Sequence, residues 1–207
     1  LSFVRDLSGD GALDSTRESL VAISRRLMRN NPIYRGIIGR CVSYVVGGGF
    51  GLQARTGNPA WNEKAETLWR EFWEAPTVDG TMSGQRLESL SFQELLVGGD
   101  AFIAFVTAEG QTKLQIFESE QCVTRTRNSD NGVVVDSLGR PIKYMFAPYG
   151  RSGFVSRSKI SDFPAKDTIH LFDHERPSAS RGVPALQSSF AMLHRINDIC
   201  DAEAVAL

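Results

Sequence analysis

Thr168-Ile169-His170-Leu171-Phe172 opens directly into the loop Asp173-His174-Glu175-Arg176-Pro177-Ser178-Ala179-Ser180-Arg181-Gly182-Val183-Pro184. The run has the β-branched and aromatic content of a strand, and the loop has little apolar content and so belongs at the surface. Pro184, with φ already near the helical value, suits a first helical turn. Behind it Leu186, Phe190, Leu193, Asn197 and Cys200 recur at intervals of three and four, one face of a helix. No Gly, Asn or Pro stop follows Asp201 and Glu203, so this helix is expected to run on to Leu207. The chain begins at Leu1 rather than Met, and the expectation is a piece of something longer.

Upstream, four helices are predicted. Ser15-Thr16-Arg17-Glu18 has the form of a capping box, followed by a face of Leu20, Ile23 and Leu27. Asn31-Pro32 restarts the chain as N-cap and first helical residue, with Ile33, Ile37, Cys41, Tyr44 and Val45 as the apolar face and Gly47-Gly48-Gly49 as the stop. After an extended stretch, Phe50 to Ala54, Asn58-Pro59 repeats the start signal for a third helix. Its face is Trp61, Ala65, Leu68, Trp69 and Phe72, and Pro76 closes it. A fourth spans Gln85 to Val97, ended by Gly98-Gly99. From Ala101 the period changes to two. Strands are predicted at 101–107, 113–117, 132–136, 141–146, 153–156 and 168–173. Helices first, then consecutive short strands, then a helix is an α+β order with a mainly antiparallel sheet, not an alternating parallel one.

Composition narrows the functional classes. The 207 residues are 42% hydrophobic, enough for a core, and the formal net charge is −1, which fits neither a basic nucleic-acid binder nor an acidic tail. No apolar run approaches the roughly 18–20 residues that span a bilayer, so no membrane partner is expected. Cys41, Cys122 and Cys200 are odd in number and widely spaced, which reads as free thiols. Charge is unevenly placed: from Ser15 to Arg55 there are seven arginines, including Arg25, Arg26 and Arg29, against the single acid Glu18, a local balance of +6. Two readings stand. One is a solvated helical surface with bases near a helix C-terminus; the other is a subunit or DNA contact made by guanidinium forks.

No catalytic, cofactor or metal constellation emerges. His170 and His174 lie four apart on a strand-like run, about 13 Å, too far for one ion. Gly47-Gly48-Gly49-Phe50-Gly51 sits after a helix and before a strand, the reverse of a phosphate loop. The serine of Gly80-Thr81-Met82-Ser83-Gly84 is displaced from the G-x-S-x-G elbow. Trp61, Trp69, Phe72 and Trp73 have the spacing of a packed helix face rather than a base-stacking platform. Arg176 and Arg181 frame the loop 173–184, read either as a plain strand-to-helix connection or as a contact surface.

The segment from Ile169 through Arg176-Pro177, Arg181-Gly182-Val183-Pro184 and Asp201-Ala202-Glu203 resembles the lambda-like portal proteins of tailed phages and prophages. Three other stretches resemble them in the same order: Arg29-Asn30-Asn31-Pro32 through Val45-Val46-Gly47-Gly48-Gly49, then Leu95 to Phe102, then Gly132 to Ile142. The resemblance covers roughly positions 15 to 207 and corresponds to the N-terminal part of a portal subunit.

That resemblance implies a flexible segment at 1–14, a wing-like α+β domain at 15–183 and, at 184–207, the truncated start of a helix leading to the core. It implies a non-enzymatic structural subunit of a ring, typically of twelve, at one capsid vertex, through which DNA is packaged and ejected. Implied partners are copies of the chain, the terminase large subunit (which supplies the ATPase), capsid or scaffold proteins, head–tail adaptors and double-stranded DNA. The implied location is the virion, with assembly in the host cytoplasm. The alternatives are a phage-associated protease or nuclease, whose motifs are missing, and a nucleic-acid-binding module resting on the Arg-rich stretch. In a head-to-tail ring, Arg25, Arg26 or Arg29 is expected to contact an adjacent subunit, where Asp198, Asp201 and Glu203 offer the opposite sign, or packaged DNA.

Overall fold

A computed structural model describes residues 16–124, 131–150 and 152–206, with the backbone alone at 201 and 203–206. The segment 1–14, and Ser15 of the expected capping box, lie outside the described residues. Helices α1 (Arg17–Asn30), α2 (Pro32–Val45), α3 (Pro59–Glu74) and α4 (Gly84–Gly98) come first. Strands β1 (Asp100–Ala108), β2 (Gln111–Phe117), β3 (Val133–Val135), β4 (Pro141–Phe146), β5 (Ser161–Pro164) and β6 (Thr168–Phe172) follow, and α5 (Phe190–Ala206) comes last. The α+β order read from the sequence is the order observed.

The strands form two three-stranded antiparallel sheets, β2-β1-β6 and β3-β4-β5. They pack through a cluster of Phe102, Ala104, Phe117, Cys122, Val133, Tyr144 and Phe146. Within it the Phe117 and Phe146 rings stack at 4.0 Å. On the opposite side of the first sheet, Ile103 and Leu114 meet Leu87 of α4, with Phe72 and Trp73 of α3 at the margin. A third cluster, Leu27, Tyr34, Ile38, Val97, Phe190 and Leu193, joins α1, α2, α4 and α5.

Several helix signals act as read. Asn31 Oδ1 accepts from Tyr34 N at 2.8 Å, and Asn58 Oδ1 from Trp61 N at 3.2 Å, each followed by Pro at the first helical position. Gly99 ends α4 in the left-handed region at φ 85°. The inward faces differ, however. Helix α1 starts from Thr16 without a side-chain cap and buries Arg17, Val21, Ser24 and Leu27, leaving Ile23 exposed. Helix α2 buries Tyr34 and Ile38 and turns Ile33, Ile37 and Tyr44 outward. The reason is polar: Ser24 Oγ and Tyr34 OH share a 2.7 Å hydrogen bond, and Tyr34 packs edge-on to Phe190. A buried hydroxyl pair selects one rotation of each helix where apolar content alone permits two.

Two further expectations change. The stretch 153–156 is a turn with one isolated bridge, Tyr149 to Val155, and the strand paired with β4 is instead Ser161–Pro164. Phe163 makes that choice, with its ring 5.1 Å from Phe117 and 5.5 Å from Phe146. Pro184 is buried and precedes a short 3-10 turn, Gln187–Ser189, so α5 begins at Phe190. The chain before that turn is held by the Ala185 N to Leu96 O bond at 3.0 Å.

Gly99 lies where this return segment crosses α4, and a Cβ there would sit 2.6 Å from the Val183 backbone. Gly99→Ala therefore combines a left-handed backbone with a backbone collision. It is expected to lower unfolding free energy by about 3 kcal/mol or more, read from urea denaturation.

Candidate functional site

Asp100 opens β1 directly after Gly99 and is fully buried. Its Oδ2 accepts from Arg17 Nη2 at 2.6 Å and from Arg181 Nε at 2.8 Å; its Oδ1 accepts from the Gly182 backbone N at 2.7 Å and pairs with His170 Nε2 at 2.9 Å. Ser119 Oγ donates to Oδ2 at 3.2 Å and also meets Arg17. Arg181 spends its remaining donors on the backbone carbonyls of Cys122 (3.2 Å), Ser119 (2.8 Å) and Asn131, and its guanidinium lies 5.1 Å from the Phe102 ring centroid. One carboxylate thus gathers α1, the turn after β2, β6 and the loop 173–184.

Burial alone would raise the Asp100 pKa, but Arg181, the His170 hydrogen bond and Arg17 outweigh it and hold the carboxyl well below its usual range. Burial also dominates at His170 and lowers its pKa despite the Asp100 bond, so the ring is neutral and donates from Nε2. Both shifts have the same sign consequence. His170 opposes folding as pH falls below its ordinary value near 6.5, and the Asp100 network is lost as pH falls below about 4. Unfolding free energy, followed by urea denaturation from pH 8 to pH 3, is expected to decline in those two stages. Asp100→Asn reduces the lower stage, to which Glu120, held low by Arg25, also contributes, and costs about 3–5 kcal/mol at neutral pH, because it leaves buried guanidiniums without their counter-charge.

Among the residues expected to make contacts, Arg181 is only 2% exposed, inside the subunit and beyond the reach of DNA or a neighbour. Arg176 is exposed on the same loop. Arg25 is half-buried in a carboxylate cage: it bonds Glu94 at 2.6 and 2.7 Å and Glu120 at 2.8 and 2.9 Å. Arg26 and Arg29 are exposed and have no ion pair among the described residues. Asp198 is exposed on α5, one position from Asn197, whose Oδ1 accepts from Asn31 Nδ2 at 3.1 Å. Asn197, the residue before Asp198, therefore lies beside the α1–α2 corner of its own subunit. The side chains of Asp201 and Glu203 lie outside the described residues. Among the described residues, no group of three His, Cys, Asp or Glu side chains is placed to hold a metal ion.

Sequence reasoning missed Asp100, Arg17 and Ser119. The signal was an acid at the head of an apolar strand, Asp100-Ala101-Phe102-Ile103, a position that demands a buried cation. Because Arg25 and Arg26 adjoin in sequence but not in environment, their reversals separate. Arg25→Glu is expected to cost about 3 kcal/mol by bringing a third carboxylate against Glu94 and Glu120, and Arg26→Glu under about 0.5 kcal/mol. Thermal and urea melts of the two single variants check this.

The model of the lambda-family phage portal proteins matches residues 3–207. The chain belongs to that family. A chain from the virion of a native gene transfer agent particle superposes with a TM-score of 0.60 at 14% identity, covering 91% of this portal chain and 44% of that one. A chain from the neck of an empty gene transfer agent particle, computed with C6 symmetry, gives 0.56 at 15% identity, covering 89% and 46%. At such identities the likeness is one of fold. The portal chain spans less than half the length of the solved structures it matches. A comparison with curated proteins finds no match.

Proposed function

We propose that this chain is the wing part of a structural portal subunit, with 15–183 as the wing and 184–207 as the start of the core-leading helix. Twelve copies form a ring at one capsid vertex, and double-stranded DNA passes through its channel during packaging and ejection. The observation that carries this reading is the family match over nearly the whole chain. The fold shared with chains from a virion and from a neck computed with C6 symmetry supports it, since a twelve-membered ring contains sixfold symmetry.

In this reading the portal performs no catalysis. The terminase large subunit docks on the ring and supplies the motor, while capsid or scaffold proteins and head–tail adaptors hold the vertex. Assembly takes place in the host cytoplasm and the finished ring resides in the virion. The structural role fits the main polar cluster, whose donors and acceptors are consumed in holding elements together rather than aimed at a substrate. Of the arginines read as contacts, Arg26, Arg29 and Arg176 are exposed, which supports their meeting a neighbour or DNA.

Negative-stain imaging of the full-length protein is expected to show rings with a central hole. Particles that remain single globules at every concentration overturn the reading. Reversal of Arg26 and Arg29 to Glu together is expected to leave the melting temperature unchanged while reducing packaged DNA.

A further inference from the structure

The outward side of α2 is built like a contact surface. Ile33, Gly36, Ile37, Arg40 and Tyr44 recur at intervals of three and four, so they share one helix face. All five are exposed; Ile33, Ile37 and Tyr44 are 44%, 39% and 86% accessible. Nothing lies within 4 Å of the position a Gly36 Cβ would take, so no contact inside the chain accounts for a helix-weakening glycine there. It does give a second backbone room to approach. Arg40, within this ridge, has no ion pair among the described residues.

A matching hollow begins where α2 ends, with Val45, Val46 and Phe50 in its wall. Between α3, α4 and the outer face of the β2-β1-β6 sheet runs an apolar groove of about 510 Å³, lined by Trp69, Phe72, Phe92, Phe105, Ile169 and Leu171. Glu88 stands at its edge, and Glu66 and Glu74 line the adjoining hollow with Arg70 as its one cation. The ridge is apolar and carries one base, Arg40; the groove is apolar with a mainly acidic rim. An apolar helix face seated in an apolar groove is a common recognition mode, and opposite charges at the margin fix its register. Ridge and groove are different surfaces, so pairing them is head-to-tail and generates a ring where the rotation closes. Aliphatic and tyrosine side chains at the centre of the ridge favour a protein partner over a phosphate backbone, which rewards cations alone.

We propose that the α2 ridge of one copy seats in the groove beneath α3 and α4 of the next. This inference rests on the ring reading above and adds the surfaces that meet. It is tested in the full-length protein by Ile37→Asp on the ridge and Phe105→Lys in the groove, with Ile169→Lys as an independent groove variant. Each is expected to keep the wild-type melting temperature as a monomer, and to raise at least tenfold the concentration at which half the chains are in rings. Unchanged assembly of the variants overturns the proposed contact and leaves the ring. A wild type that never assembles overturns both. An Ile37→Asp monomer that melts early overturns the contact, since the ridge is then covered within its own chain. Normal rings from Ile37→Asp together with loss of duplex binding from Arg40→Glu overturn it in favour of DNA.

Discussion

Everything between the helices and the sheets hangs on one buried carboxylate. Asp100 is in the first position of β1, and its four closest partners come from places as distant in sequence as Arg17, His170, Arg181 and Gly182. Taking these ions out of water costs several kcal/mol each, and the geometry has to repay that through short hydrogen bonds on every lone pair. It does: the carboxylate accepts from two guanidiniums, an imidazole, a backbone amide and a hydroxyl. Such a cluster adds less to net stability than a packed apolar core of equal volume. What it adds is uniqueness, because no other arrangement of α1 and the loop 173–184 satisfies all of its members.

The glycines around it follow from the same constraint. For Gly182 N to reach Asp100, the return loop has to pass against the end of α4, and backbone meets backbone there, so neither Gly99 nor Gly182 has room for a side chain. Arg17 Nε then closes the circuit by donating to Gly182 O at 3.1 Å. The loop 173–184 thus has an exposed half around Arg176 and a buried half from Arg181 to Pro184. A sparsely apolar loop reads as surface, yet charge and glycine place half of this one in the interior.

The same distinction explains what was legible in the sequence. Element order, helix starts at Asn31-Pro32 and Asn58-Pro59, and the glycine stop after α4 are local signals, and they acted locally. The inward faces of α1 and α2 were not legible, because each helix carries apolar residues on more than one side. The choice between Leu20-Ile23 and Val21-Ser24, or between Ile33-Ile37 and Tyr34-Ile38, is made by a hydroxyl pair and an aromatic contact with α5 that join distant segments. Strand β5 escaped for a similar reason. Ser-Asp-Phe-Pro has no strand periodicity, and one phenylalanine between two aromatic rings recruits it. Arg25 and Arg181 carried no mark separating them from Arg26 and Arg176; only the carboxylates brought up by α4, β1 and the turn after β2 do that.

A surface helix with apolar residues on its outward as well as its inward side is ordinarily a liability, and α2 is one. Its inner side is filled by Tyr34 and Ile38, which leaves Ile33, Ile37 and Tyr44 exposed on the other. Exposed apolar patches of this kind mark interaction surfaces in folded proteins. The chain buries the charge pairs that fix its fold, and leaves Arg26 and Arg29, without an ion pair among the described residues, and several exposed aliphatics on the outward side of α1 and α2. A subunit built to stand alone has no use for that division. A subunit meeting copies of itself does: the buried cluster keeps its shape invariant, and identical shape is the condition under which a small rotation, repeated from copy to copy, closes into a ring.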